Sequence, residues 1–514
     1  MNIKQLVIPL FALLLPAVSN GQSQVEVLGA GFINRDPDIV DAQRMIGDVR
    51  LKYNEVYMFC DSAYRYPNQD FEAFSNVRIL QGDTLSLTGD RLYISKDDGI
   101  AKLRNNIRMK DNEMTLQTEI LDYNLDTEMA SYYDGGTITN RESKNKLTSK
   151  IGHYDSRTEF FHFSNDVVLT NPDYTINSDT LKYSSRSETA WFVGPSTITS
   201  KNTNIYCENG WYNTQTDKCQ FNQNTTILSG STTMKGDSIA YDARTSEGEI
   251  FCNVFIQDTT SNYIITGDYG QHNESTGKSL VTDRALMIQT FEEDSLFLRA
   301  DTLRADKDSL GQVIHAFHQV RFFKSDLQGV ADSLSYSERD SLLIMYKQPT
   351  IWSKDSQITG DTISLVMSDG QLRNLLVDRN AFIVSLVADS AYNQIKGRKL
   401  VGTFVKNQLR SIDVNGNGQA IYYPLDDSFD KPVTIGVNKA ECSNIKIEIN
   451  ENEIARIALI TEPSGALHPN EKATQSDKWL PGFVWLGNLR PASSDDLFPL
   501  VEIPQDSLST AAPD

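Results

Sequence analysis

Asn177-Ser178-Asp179-Thr180-Leu181-Lys182-Tyr183 is the stretch that decides the fold. Its apolar residues, Leu181 and Tyr183, are two apart, with Thr180 and Lys182 polar between them. That is the period of a β-strand, on which successive side chains point to opposite faces. Ile239 with Tyr241 and Leu334 with Tyr336 repeat the arrangement. No convincing amphipathic helix follows the N-terminal segment, so the fold class is all-β.

Working outward, the same unit recurs along most of the 514 residues. An acidic or polar anchor is followed two positions on by an apolar residue or glycine, and often four positions on by tyrosine. The anchors are Asp61, Asp90, Glu119, Lys150, Asp179, Glu208, Asp237, Asp268, Asp301, Asp332, Asp361 and Asp389. Successive anchors are 28 to 33 residues apart, most often 29. Such regularity over eleven steps is a structural repeat, and a fixed period is read before any short motif. Between the anchors lies a second element, a turn-prone residue followed by a β-branched or aromatic run. Examples are SNVRIL at 75–80, NNIRMK at 105–110, NDVVLT at 165–170 and NTTILS at 224–229. Each repeat thus offers two strand candidates separated by Asn/Asp/Gly/Ser-rich connections.

A two-strand unit of this size cannot bury its apolar face alone, whereas stacked units can. With one rung per face per repeat, two architectures fit. One is a closed solenoid filled by its own side chains. The other is two sheets folded over each other and open along one seam. The residues two positions after the anchors alternate in bulk: Leu121, Gly152, Leu181, Gly210, Ile239, Gly270, Leu303, Leu334 and Ile363. Both architectures accommodate that alternation.

Charge and composition exclude several partners. The formal net charge is -20, which repels nucleic acid and anionic membrane faces. The 39% hydrophobic content is enough to build cores. Residues 1–21 read as a secretory signal, with Lys4 before an apolar run from Leu6 to Val18. No cysteine follows it to carry a lipid anchor, so a cleaved, exported chain is expected. Five cysteines, Cys60, Cys207, Cys219, Cys252 and Cys442, leave at least one thiol free. Their spacing matches no zinc pattern; the reading is packed thiols, with at most one disulfide, from Cys207 to Cys219 or Cys252.

At this point the sequence resembles a known family. GDTLSLTGDRLYIS at 82–95, SDTLKYSS at 178–185, GDSIAYDA at 236–243, ADSLSYSE at 331–338 and GDTISLVM at 360–367 are similar to the repeats of OstA-like, or LptA-like, proteins of lipopolysaccharide export. The similarity covers roughly residues 25 to 410. The resemblance implies a folded antiparallel slab, solenoid-like and built of these ~29-residue repeats. It implies that a trough between the sheets holds the acyl chains of lipid A, and that members join through unpaired edge strands. The repeat number implies two modules in tandem, residues 22–230 and 231–450, before a C-terminal cap and tail at 451–514. About 100 residues follow position 410, too few for the transmembrane barrel of the outer-membrane member.

The expected function is therefore periplasmic carriage of lipopolysaccharide toward the outer membrane, without catalysis, cofactor or metal. The groove candidates are Leu121, Leu181, Ile239, Leu303, Leu334 and Ile363. Lipopolysaccharide, other transport proteins paired at an edge strand near residues 25–60, and a head-to-tail oligomer are the expected partners. Two other classes compete, a β-helix enzyme acting on polysaccharide and a surface adhesin or scaffold.

The remaining features have blander readings. The anchor aspartates cap turns, since the nine-residue calcium-binding repeats of β-rolls are absent. Tyr123, Tyr154, Tyr183, Tyr212, Tyr241 and Tyr336 form a stacked ladder or, alternatively, a sugar platform. His315 and His318 lack a third ligand. Residues 461–499, with Trp479, Phe483 and Trp485, cap the last rung or dock a partner.

Overall fold

The computed structural model describes residues 25–498, except 40, 54–55, 82–84, 111–113, 125, 128, 141–143, 156, 185, 214, 261, 274, 292–293, 309–310, 338, 369–370, 389–390, 406–407, 427–432 and 451–452. The signal segment and Asp389 therefore lie outside the described residues. The chain is nearly all strand, 76% against 2% helix. It divides into two units, Met1–Ile250 and Phe251–Asp514.

In the first unit the repeating element is a bent strand. Phe160–Thr170 and Tyr174–Ser184 form one antiparallel hairpin, and both change direction near their middle. Phe160 to Ser164 pair with Ser184 to Thr180, and Val167 to Thr170 pair with Ser178 to Thr175. Between the two ladders the register slips, and Asn165 and Asp166 both adopt left-handed backbone, φ 62 and 56. Each strand thus contributes one arm to a first sheet and one to a second. The same slip recurs between Arg104 and Ile107 and between Asn222 and Thr225.

This corrects the two-strand reading in one respect. The Asn- and Asp-rich residues before VVLT or IRMK are not connections between strands. They are corners inside single eleven-residue strands, so each repeat adds two rungs to each sheet rather than one. Two consecutive left-handed residues re-aim an extended chain, and Asn tolerates that conformation better than most side chains. The pairs Ser75-Asn76, Asn105-Asn106 and Gln223-Asn224 do the same.

The anchor carboxylates sit at the facing corner of the preceding strand. Asn76 donates its amide to Asp61 at 2.7 Å, Asn106 to Asp90 at 2.6 Å, and Asn224 to Glu208 at 2.7 Å. The anchors thus brace corners rather than cap the turns between strands. Asn106→Ala removes both the left-handed tolerance and the amide, so it should cost about 1–2 kcal/mol locally. Asn106→Gly keeps the backbone and should cost only a few tenths. Hydrogen exchange across 100–124 separates the two outcomes; equal protection loss in both variants would contradict the backbone role.

The turns of the first sheet are stapled by side chains. Asn213 accepts from the Gln215 and Thr216 amides, and Asp155 from those of Arg157 and Thr158. These are Asx turns, and their closing residues, such as Glu159 and Asp217, are left-handed.

The second unit repeats the pattern from Tyr263–Asn273 onward. Corners lie at Asp283-Arg284, His318-Gln319 and Arg379-Asn380, where Asn380 donates to the anchor Asp361 at 3.0 Å. The last bent strand joins Glu453–Ile460 and Ser464–His468, which pair with the two arms of Val437–Asn450. Every ladder described here is antiparallel. That excludes a β-helix, whose rungs are parallel, and with it the architecture behind the polysaccharide-enzyme alternative.

Candidate functional site

The space between the two sheets of each unit is the candidate site. Along the first sheet of the first unit, Phe163, Leu181, Phe192, Gly210, Phe221 and Ile239 are successive cross-strand partners. They form one unbroken inward row. Facing it on the second sheet are Val167, Leu169, Ile176 and Ile198, all buried. In the second unit the row runs Val281, Leu303, Ala316, Leu334, Met345, Ile363 and Val377. The groove candidates Leu121, Leu181, Ile239, Leu303, Leu334 and Ile363 are all buried. Leu181 and Ile239 share the first row, and Leu303, Leu334 and Ile363 share the second.

The glycines that interrupt the pattern have a volume explanation. Gly210 is the cross-strand partner of both Phe192 and Phe221, and a Cβ there would come within 2.6 Å of the Gln220 carbonyl oxygen and 3.1 Å of the Phe221 ring. A Cβ on Gly152 or on Gly136 would overlap the ring of Tyr132, which lies over both. The Tyr132 hydroxyl bonds Ser149 Oγ at 2.6 Å, and burial pushes its pKa up to about 12. The alternation of bulk is thus shape matching between neighbouring rungs.

The tyrosines point inward rather than forming an outer sugar platform. Tyr154, Tyr183 and Tyr212 are buried on the turn side of the first sheet, and Tyr174 on that of the second. Burial, then the Asp217 carboxylate that Tyr212 donates to, raises the Tyr212 pKa well above its ordinary value. Tyr174 carries a buried hydroxyl with no partner among the described residues. Corner backbone closes one side of the interior. On the other side the two rows of turns belong to separate sheets.

In the second unit the interior is incompletely filled. A cavity of about 30 Å³ lies between Tyr263, Ile265 and Met287 of the second sheet and Val281, Leu303, Ala305 and Ile314 of the first. Leu303, a groove candidate from sequence, lines it.

Other candidates resolve differently. His315 stacks on Phe317, centroids 5.8 Å apart, and His318 sits at a corner 3.4 Å from Asp332. All five cysteines are free, so the packed-thiol reading holds for Cys60, Cys207, Cys219 and Cys442, which are buried, the one disulfide it allowed does not form, and Cys252 is exposed. Burial pushes the Cys207 thiol up to about 11 and the Cys219 thiol up to about 12. Burial, helped by Asp61, takes Cys60 to about 11. Because the thiolate is the nucleophile, iodoacetamide at pH 8 should label Cys252 first and leave these three intact until the chain unfolds. Mass spectrometry reads the order, and Cys219 labelled as fast as Cys252 would contradict the packing.

The C-terminal segment expected to cap the last rung or dock a partner lies against the outer face of the second unit, a placement that sequence reading missed. Residues 475–498 run across the outer surface of its second sheet. Gln394, fully buried, accepts from the Leu480 amide at 2.8 Å and donates to the Lys478 carbonyl at 2.8 Å. Gln357 does the same with Leu486 and Val484, at 2.7 and 2.8 Å. Gln328 accepts from Arg490 Nε at 2.8 Å. Phe382, Val384, Ile421 and Leu480 are buried in the outer cluster that results, and Trp352 Nε1 donates to the clasping Gln357. The rings of Tyr392 and Trp485 lie 5.3 Å apart within it. The local signals were the close-set Trp479, Phe483 and Trp485 in the segment itself and outward-facing Trp352 and Phe382 where polar residues belong.

LptH from Pseudomonas aeruginosa, the LptA-homologous periplasmic component of a lipopolysaccharide transport device, aligns at 19% identity. The alignment covers 20% of this chain and 78% of LptH, at TM-score 0.19. None of the curated proteins compared matches. Residues 23–179 match the family model described as OstA-like protein. Residues 23–179 are thus similar to OstA-like protein, over the N-terminal part of the stretch in which the repeats carry the resemblance.

Proposed function

We propose that this chain shelters the acyl chains of lipopolysaccharide between its bent sheets while the lipid crosses the periplasm toward the outer membrane. The observation that carries this reading is the unbroken inward row of apolar side chains in each unit, walled by corners on one side and only by turns on the other. The OstA-like match supports a lipopolysaccharide-transport role at the coarser level. Leu121, Leu181, Ile239, Leu303, Leu334 and Ile363 are the proposed acyl contacts. Each buried CH2 contributes about 0.8 kcal/mol, so several acyl chains can compete with the side chains that fill the interior at rest. The sheets need to part only on the turn side, where no backbone joins them. No catalytic step is assigned.

Export through residues 1–21 and a periplasmic location belong to the same reading. No described helix is long and apolar enough to cross a membrane. Docking to other transport proteins, or to a second copy head to tail, is assigned to the first bent strand, Glu26–Gly29 with Phe32–Arg35. It pairs only with Gln43–Tyr53 among the described strands. Phe32 is 73% and Ile33 53% exposed there, side by side on an unpaired edge.

The test is binding of purified chain to intact and to chemically deacylated lipopolysaccharide. Intact lipopolysaccharide should bind with little change between low and high salt, because acyl burial is not screened. Equal binding of both forms, or a steep loss at high salt, would show that charge rather than acyl burial governs recognition.

A further inference from the structure

We infer that cargo at rest sits between the sheets of the second unit, in strands 263–314, and that the 475–498 strap holds that seat open from outside. This rests on the proposed acyl-sheltering function and assigns it a place.

The first observation is a difference in filling at equivalent positions. On the turn side of the first unit the inward row runs Phe161, Tyr183, Ala190, Tyr212, Cys219 and Tyr241, so each small side chain stands between two rings. In the second unit the matching inward positions carry Ser279 and Ala305, cross-strand partners, followed by Ile314. Small side chains there leave the 30 Å³ cavity, and its lining is almost wholly apolar. An apolar void that is never occupied is a standing loss of packing. The void is far smaller than an acyl chain, so it marks where the sheets part at least cost, and a chain entering beside Tyr263 supplies the missing contacts.

The second observation explains why the sheets do not collapse onto the gap. The second sheet of this unit is packed on its outer face. Arg321 donates to the Leu489 carbonyl at 3.3 Å, the Arg284 guanidinium lies 5.3 Å from the Phe498 ring centroid, and Leu497 is fully buried. Arg284 and Arg321 belong to strands whose inner side chains face or flank the cavity. The Gln357 and Gln394 clasps fix the strap by its backbone, and Gln328 holds it through the Arg490 side chain. A sheet anchored from outside keeps its curvature without a fully packed interior.

Benzoylphenylalanine is placed at Ile314 or at Tyr183 in the full-length purified chain, which is equilibrated with purified lipopolysaccharide and irradiated. Crosslinking at Ile314 should exceed that at Tyr183 by about tenfold, the ratio set by a difference of one decade in occupancy. Equal yields at the two positions overturn the seat while leaving acyl sheltering intact. Absence of crosslinking at both, in a chain that also fails to bind lipopolysaccharide, overturns the function itself. Ala305→Phe, which fills the gap, should lower the Ile314-side yield severalfold with an unchanged far-UV spectrum. The double variant Gln357→Ala/Gln394→Ala should do the same by releasing the strap. An undiminished yield in that double variant, with hydrogen exchange confirming that residues 479–490 have come free, overturns the bracing role.

Discussion

Phe163→Ala is expected to lower the local stability of the first unit by about 3–5 kcal/mol, the range for deleting a fully buried aromatic ring. Phe163 is 2% exposed and lies between Gly152 and Leu181 on adjacent strands. Gly152 has no side chain to move into the vacancy, and Tyr132 is already held over it through Ser149. Relaxation is therefore limited and the cost falls at the high end. In a stacked architecture the loss should spread to neighbouring rungs before distant ones. Hydrogen exchange should show faster opening across 146–184 first. A variant whose protection matches the parent would mean that the interior is not packed as described.

Trp352→Ala should cost a similar amount, about 3–5 kcal/mol, but by another route. Trp352 is fully buried on the outer face of the second sheet, and its indole donates to Gln357 Oε1 at 3.3 Å. Its removal opens a cavity under the strap and loosens the glutamine that holds Val484 and Leu486. Proteolysis between 475 and 490 should become fast while the repeats stay resistant. If the strap stays protected and the repeats become labile instead, the indole belongs to the repeat core rather than to the strap seat.

The contrast between these two residues shows what could be read in the chain. Leu181 with Tyr183 and Ile239 with Tyr241 were legible as sharing one face because period-two alternation depends only on neighbours in sequence, whereas Phe163 was not singled out. The 29-residue spacing was legible for the same reason, since each rung repeats a local pattern. The corner was not. Asn165-Asp166 looks like a loop because left-handed residues usually end a strand, and only the continued ladder at Val167 to Thr170 shows that the strand goes on. Reading half-strands as whole strands halved the rungs per repeat. The strap was illegible for a different reason. Gln357 and Val484 are 127 residues apart, and a glutamine that binds backbone leaves no complementary side chain to recognise. The tyrosines fell between these cases, with the correct spacing but a face that sequence alone left open.

The direct test of the account is photo-crosslinking in cells that export lipopolysaccharide, with paired positions on one strand. Transit carries cargo past every rung, so inward Leu181, Leu303 and Leu334 should crosslink lipopolysaccharide. Their outward neighbours Lys182, Arg304 and Ser335 should not. Labelling that follows this alternation puts the lipid between the sheets. Labelling of the outward set, or of neither set, would mean that the interior packs only the protein's own side chains and carries nothing.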